Sequence, residues 1–250
     1  MYIYKSLDAI FPLESSILAI GTFDGMHLAH RYLVKKVCQE AVSAGETSSV
    51  VVSFSSHPKN TLDNACKHKV LTTKDEKINI LGKIGVNHLA ILDFSPEIAD
   101  ISYTDFIRIL KKRIGIKKII LGYNHHFGKN REGCYETLLP LGKELDFEVE
   151  SIEKQTIDGM LISSSSIRDA LLSGDVVTAN KILGYNYSVR MWERHDLTDE
   201  PDAFFFDSNK IIPKNGRYTA KINEEKLNQL DFIFSIAPKE SIVYRMEFLK

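Results

Sequence analysis

Cysteine is scarce: only Cys38, Cys66 and Cys134 occur in 250 residues, and no two form a C-x-x-C pair. That scatter excludes a disulfide framework and a zinc knuckle, and it fits a reduced, cytoplasmic setting. Charge of one sign is lacking too. Lysine and arginine total 32 against 33 acidic residues, a net charge of −1. No basic field therefore marks nucleic acid or an anionic membrane as a partner. No apolar run approaches the roughly 20 residues of a membrane span. The opening MYIYKSLDAIFPLES has no basic segment followed by a long apolar stretch, so no signal peptide is expected. Repeats and low-complexity tracts are absent. So are the G-x-G-x-x-G fingerprint, the P-loop G-x-x-x-x-G-K-[ST] and the metal motif H-E-x-x-H. What remains is an ordinary globular composition, sized for one large domain or one domain with a small module.

Against that background the stretch Ile17 to His30, ILAIGTFDGMHLAH, stands out. Ile17-Leu18-Ala19-Ile20 has the length of a buried strand. Gly21 and Gly25 punctuate a turn, and a helical pattern starts near Leu28. Its apolar face carries Val34, Val37, Cys38 and Ala41, with Gly45 as the C-terminal cap. This places His27 at the turn and His30 in the first helical turn. Free backbone N–H groups and the helix dipole make such a start an anion site. Two imidazoles three residues apart share a face and can donate to the same phosphates. Two solvated histidines at a helix start are the bland alternative.

Strand and helix then alternate at about thirty-residue spacing. Ser49 to Phe54 is a β-branched strand closed by His57-Pro58, which leaves His57 at its carboxyl end. A helix over Lys74 to Lys83, with a Thr73/Glu76 capping box and Gly85 as its stop, leads to a strand at His88 to Leu92. Ser102 and Asp105 start a helix that carries Phe106, Ile109 and Leu110 inward and ends at Gly115. Lys117 to Leu121 is the next strand, and Phe147 to Ile152 follows a helix broken by Pro140. The expected fold is α/β, a Rossmann-like, doubly wound parallel sheet with ligands at the carboxyl ends of its strands.

Two further segments carry polar groups at strand ends. Gly122 to Gly133 offers three glycines, His125, His126, Lys129 and Arg131 just past a strand. A flexible polar loop is the plain reading of its composition. A metal held by His125, His126, His27 and His30 is another, without a metal motif behind it. In Leu161 to Arg168, LISSSSIR, a serine run can cap a helix that carries Ile167, Leu171 and Leu172 inward. Its hydroxyls and free N–H groups, with Arg168 one turn in, make a second anion cradle.

Gly21-Thr22-Phe23-Asp24-Gly25-Met26-His27-Leu28-Ala29-His30 resembles the G-x-F-D-G-x-H-x-G-H signature of the bacterial riboflavin kinase/FAD synthetase family, one of the H-x-G-H nucleotidylyltransferases. Ala29 replaces the last glycine. His57 falls in a segment similar to the family's F-x-P-H-P, with Ser56 for the first proline. Gly122 to Gly128 resembles its G-x-D-F-x-F-G loop, with Asn124 for the acid and His125 for the first aromatic. Ile162 to Arg168 resembles I-S-S-T-x-I-R, with Ser165 for threonine, and Gly174 to Gly184 matches the segment that closes the adenylyltransferase domain. The resemblance implies transfer of AMP from ATP to FMN, giving FAD and pyrophosphate, with Mg²⁺ on the phosphates and its protein ligands unknown. It implies His27, His30 and Arg168 as catalytic residues. Gly21, Phe23, Asp24, Gly25, Ser163 and Ser164 would bind ATP and its phosphates. His57, Asn124, Phe127 and Gly128 would line the nucleotide and flavin pocket.

After Tyr185 the family continues into a riboflavin kinase barrel marked by G-x-P-T-A-N, which this sequence lacks. Thr178-Ala179-Asn180 belongs instead to the helix closing the first domain. Strand-like segments recur at 203–206, 217–222, 232–236 and 242–248, and Asn215-Gly216 is a hairpin turn signal. The expected organisation is an FMN adenylyltransferase domain over 1–184 and a short, β-rich, degenerate kinase-like module over 185–250. Kinase activity should be absent or feeble. A bifunctional kinase/synthetase and a flavin-binding regulatory protein with weakened catalysis remain alternatives. So do a transferase acting on nicotinamide or pantetheine phosphates and a metal-dependent hydrolase. The partners expected are small molecules, ATP and FMN, with no nucleic acid and no membrane; the sequence is silent on oligomeric state.

Overall fold

Side chains in the central strands alternate between two apolar cores, and this determines the layering. In a computed structural model, residues 1–55, 69–193, 204–207, 209–222, 225–231 and 242–248 are described. The chain divides into two compact units, Met1–His68 with Lys74–Gln155, and Lys69–Thr73 with Thr156–Lys250. The first unit runs β1 (Tyr2–Tyr4), β2 (Ser16–Ile20), α1 (Leu28–Ser43), β3 (Ser48–Phe54), α2 (Lys74–Ile84) and β4 (His88–Leu92). It continues with α3 (Pro96–Asp100), α4 (Tyr103–Ile114), β5 (Ile116–Leu121), α5 (Tyr135–Leu145) and β6 (Glu148–Ser151).

The six strands form one sheet in the order β1-β4-β3-β2-β5-β6, with every neighbouring pair parallel. Leu18, Ile20, Val50 and Val52 face a core shared with Phe106, Ile107, Leu110 and Leu138 of α4 and α5. Ile17, Ala19 and Val51 face the opposite core, with Leu33, Val34 and Val37 of α1 and Leu81 of α2. Strands buried on both faces are what helical crossovers require. The doubly wound parallel sheet is therefore as expected from the alternation.

Three local expectations change. Ile109 of α4 is exposed, and Ile107 is buried in its stead. The buried stripe runs through Phe106, Ile107, Leu110 and Ile114, a three-and-four spacing that turns Ile109 outward. Pro140 does not break its helix, because α5 runs through it. The proline is exposed, so water can take up the carbonyl it deprives of a partner, while Leu138 and Leu141 anchor the turn on either side. Strand β1 at the sheet edge had no clear sequence signal.

The second unit opens with a small antiparallel hairpin, β7 (Thr156–Ile157) and β8 (Met160–Leu161), followed by α6 (Ser164–Ser173) and α7 (Val176–Leu183). In α6, Ile167 and Leu171 are buried as expected, but Leu172 is exposed and Ala170 takes the inward place. Thr178-Ala179-Asn180 does lie in α7, where Asn180 Oδ1 accepts the Tyr187 N–H at 2.7 Å. Strands β9 (Ser188–Glu193), β10 (Phe204–Phe206), β11 (Arg217–Ile222), β12 (Glu225–Asp231) and β13 (Ile242–Phe248) form an antiparallel sheet in the order β10-β9-β13-β11-β12. Strands β9 and β12 add to those expected, and the segment 232–236 lies outside the described residues. No helix among the described residues is long and apolar enough to cross a membrane.

Candidate active site

The chain moves from β2 towards β3 and β4 on one side of the sheet, and from β5 towards β6 on the other. The carboxyl ends of β2 and β5 thus flank a topological switch point, where open α/β sheets bind ligands. The histidine turn leaves β2 at this edge, and the 122–133 loop leaves β5 at the same edge.

After β2 the Gly21 N–H is committed to the sheet, donating to Val52 O at 3.0 Å. The turn that follows is strained. Phe23 and Met26 have φ of 49° and 41°, a region side-chain-bearing residues avoid, and Gly25 has φ 87°. Such conformations persist only where packing over-determines them, and both Phe23 and Met26 are buried in the core on the α1 side. Asp24 is buried as well.

His27 is the N-cap of α1, its Nδ1 accepting the His30 N–H at 3.3 Å. An accepting Nδ1 puts the His27 proton on Nε2. The two rings stack, with centroids 3.6 Å apart and planes 16° apart, and Phe23 meets His30 edge-on at 5.3 Å. Burial pushes His27 down to about 4 against the pull of the Asp24 carboxylate, with Arg31 adding to the fall. Burial also holds His30 well below the ordinary histidine range, helped by His27, Lys77 and His125. Both rings are neutral at pH 7. The pair that spacing predicted on one helix face is therefore brought together, but desolvated rather than solvated.

Sequence reasoning missed Lys77. This α2 residue is buried, and its Nζ donates to Thr22 O, to Ser53 Oγ at 3.0 Å and to Phe54 O at 3.0 Å. Three donors meet three acceptors, tying the ends of β2 and β3 together. Burial lowers the Lys77 amine to about 8, opposed by Asp24. The available signal was a lysine four residues before Leu81, on the inward face of an amphipathic helix.

Past β5, Phe127 packs against Phe106 at 6.1 Å and exchanges two backbone hydrogen bonds with Gly133, both 2.9 Å. Gly128 has φ 74°, and a Cβ there would stand 2.9 Å from the Tyr103 backbone, so only glycine fits. With Phe54, Phe94, Ile98 and Phe106, these two residues line a small apolar recess. Asn124 is exposed on the same loop. His125 stacks on Phe127 at 5.8 Å, and burial, then His126 and Arg131, push it down to about 4. His57 lies outside the described residues.

Ser163, Ser164 and Arg168 belong to the second unit. Ser163 is the N-cap of α6; its Oγ accepts the Ser166 N–H at 3.1 Å and lies 2.8 Å from Ser166 Oγ. Ser164 is the first helical residue, and Arg168 Nη1 donates to Lys69 O at 2.7 Å. Among the described residues no group of three or more His, Cys, Asp or Glu side chains is placed to hold a metal ion.

A family model described as FAD synthetase matches residues 12–166, more than half the chain, and takes in the histidine turn, the β5 loop and the serine cap. The chain belongs to the FAD synthetase family. It is an enzyme of the nucleotidyltransferase class. The bifunctional riboflavin kinase/FMN adenylyltransferase of Listeria monocytogenes is 31% identical over 216 residues, covering 83% of this chain and 68% of that protein. Its counterpart from Bacillus subtilis is 30% identical, covering 85% and 70%. That of Escherichia coli K12 is 29% identical, covering 71% of this chain and 57% of its own length. Among solved structures, one titled a macrolide-efflux protein from Streptococcus pneumoniae superposes with a TM-score of 0.81. It covers 99% of this chain and 88% of its own at 24% identity, a likeness of fold alone.

Proposed function

We propose that this member of the FAD synthetase family transfers AMP from MgATP to FMN, giving FAD and pyrophosphate. The observation that carries this reading is the neutral, stacked His27–His30 pair at the start of α1, beside the carboxyl end of β2. In the reaction an oxygen of the FMN phosphate attacks the α-phosphorus of ATP. A P–O bond forms there while the bond to the bridging oxygen breaks, and its electron pair leaves with pyrophosphate. The nucleophile is already ionised, so no serine, cysteine or strong base is needed. The demand is for alignment and for donors aimed at developing negative charge.

His27, protonated on Nε2, donates to a phosphate oxygen, and His30 stacks beside it. Neither titrates near neutrality, so both keep their role across the working range. The amino end of α1 adds its dipole. Gly21, Phe23, Asp24 and Gly25 shape the turn that presents the pair. Ser163, Ser164 and Arg168 are assigned to phosphate binding, with the arginine fork suited to paired oxygens. Phe127, Gly128, Asn124 and His57 are assigned to the nucleotide and flavin pocket, for which Phe127 offers a flat apolar wall. Imidazoles are poor partners for a hard cation, so magnesium enters here as part of the substrate MgATP.

The adenylyltransferase is assigned to residues 1–184 and a kinase-like module to 185–250. Without a G-x-P-T-A-N segment, that module phosphorylates riboflavin feebly or not at all. A cytoplasmic setting is the reading that scattered cysteines without a C-x-x-C pair support. Incubation with ATP, Mg²⁺ and either FMN or riboflavin, followed by flavin separation, tests this. FAD from FMN alone is expected. Product from riboflavin would make the enzyme bifunctional like its named relatives, and no product from either would leave a flavin-binding protein.

A further inference from the structure

We propose that His125 is a third imidazole of the nucleotide site, bonding through Nε2 to the phosphate chain of ATP from the β5 side. The inference rests on the adenylyl-transfer reading and adds a residue that the family's loop pattern does not supply, since an aromatic stands there in that pattern.

The topology comes first. His30 follows β2 and His125 follows β5, and these strands are paired in parallel through Leu18↔Ile119. Both residues leave the sheet at its carboxyl edge and flank the same switch-point crevice. The unused atoms come second. His30 Nδ1 and His125 Nε2 are buried and have no hydrogen-bond partner among the described residues. Buried polar atoms are almost always partnered, and leaving one dry costs about 1–3 kcal/mol. Two such atoms, one on each of the segments that leave this edge of the sheet, are complementary to a ligand rich in acceptor oxygens.

The His125 ring is held ready. Its backbone N–H donates to Gly122 O at 3.0 Å, and the ring lies nearly parallel to that of Phe127, which is fixed by Phe106 and by the paired bonds to Gly133. An imidazole keeps the flat surface an aromatic residue would give this stack and adds a polar edge. The charges nearby select the sign of the ligand. His125 faces His126 and Arg131, and His30 faces His27, Lys77 and His125. Lys77 and Arg131 bring two positive charges against the one carboxylate of Asp24, which faces His27 and Lys77, so the balance of charge favours an anion over a metal ion. A neutral imidazole gives a phosphate oxygen one N–H without carrying charge of its own.

His125→Phe preserves the stack and deletes Nε2, while His125→Gln restores a donor. With wild-type enzyme making FAD, His125→Phe should raise KM for ATP about tenfold, the worth of one hydrogen bond, and leave KM for FMN unchanged. His125→Gln should recover part of the loss. The ligand-free His125→Phe protein should melt no lower than wild type, since the change removes an unsatisfied atom; a purely structural histidine would show a lower melting temperature. The ¹⁵N resonance of His125 Nε2 should shift when α,β-methylene-ATP and Mg²⁺ are added. A His125→Phe enzyme with wild-type KM for ATP overturns the proposal. So does an Nε2 resonance that stays put while that of His30 moves, or one that responds to zinc alone. Wild-type protein that makes no FAD would sink the adenylyl-transfer reading instead, and the Nε2 resonance would then decide the phosphate contact by itself.

Discussion

The starts of α1 and α6 look alike in sequence and differ in chemistry. Each follows a strand, and each is capped by a side chain that accepts the N–H three residues on, His27 for α1 and Ser163 for α6. At α6 the cap is relaxed: Ser163 is extended, with φ −149° and ψ 158°, and its hydroxyl pairs with that of Ser166. At α1 an imidazole does the work of a hydroxyl, the preceding turn holds Phe23 and Met26 in left-handed conformations, and His30 keeps a dry nitrogen with no hydrogen-bond partner among the described residues. A helix start alone offers N–H groups to any anion. Stored strain and unsatisfied buried atoms are what single out α1 as the place where reaction is expected.

The sharpest way to break that contrast is His30→Ala. Loss of an imidazole positioned for the phosphates should lower kcat by about 10²–10³-fold. Circular dichroism should hold, since His30 Nδ1 has no hydrogen-bond partner among the described residues, while lost packing on His27 and Phe23 should lower the melting temperature somewhat. Near-normal turnover would reduce the α1 start to an ordinary cap. Lys77→Met comes next. It strips the donor from Thr22 O, Ser53 Oγ and Phe54 O, so the ends of β2 and β3 lose their tie. A loss of about 3 kcal/mol is expected, for buried acceptors left dry. Urea midpoints measure it, and an unchanged midpoint would show that the lysine tie is dispensable.

Acid separates the two caps as well. The His27 imidazole lies near 4 in the folded protein and near its ordinary 6.5 when unfolded. Between these values the unfolded chain binds a proton that the folded one refuses. The His27 contribution is therefore full above about pH 6.5 and is lost as the pH falls towards and through 4. By pH 5 it costs about 2 kcal/mol, and His125, lowered to about the same value, acts in the same direction. The serine cap of α6 has nothing to titrate. Urea midpoints at pH 7 and pH 5 should fall less for His125→Phe than for wild type. Parallel losses would mean that His125 does not differ in protonation between the two states.

Much of this contrast was legible before the structure. The run Ile17 to Ile20, the glycine turn, the onset of helix at Leu28 and the serine cap before Ile167 depend on contacts a few residues apart, which periodicity reports well. What escaped depends on distant partners. Lys77 looks like a surface charge in KDEKINILGKI, because its acceptors lie 23, 24 and 55 residues away. The left-handed φ of Phe23 and Met26 has no local signal, since neither is the glycine or asparagine that marks such turns. Their strain is held by burial in a core that only the folded sheet creates. The electrostatics escaped as well: burial leaves His27 and His30 neutral, and Lys77, unsuspected in the sequence, places a cation beside His30.

The smallest expected effect tests the quieter of the two starts. Ser163→Ala removes the hydroxyl that accepts the Ser166 N–H, and cap losses of this kind cost about 1 kcal/mol. Thermal melting should register that amount, because the rest of α6 is anchored by Ile167, Ala170 and Leu171. Turnover should fall far less than for His30→Ala, because the Ser163 oxygen is already engaged by Ser166, and the loss of its assigned phosphate contact should appear mainly as a higher KM for ATP. A fall as large as that of His30→Ala would mean that the hydroxyl leaves Ser166 for substrate. The α6 start would then be as much a part of the reaction as α1, and strain and dryness would no longer tell the two apart.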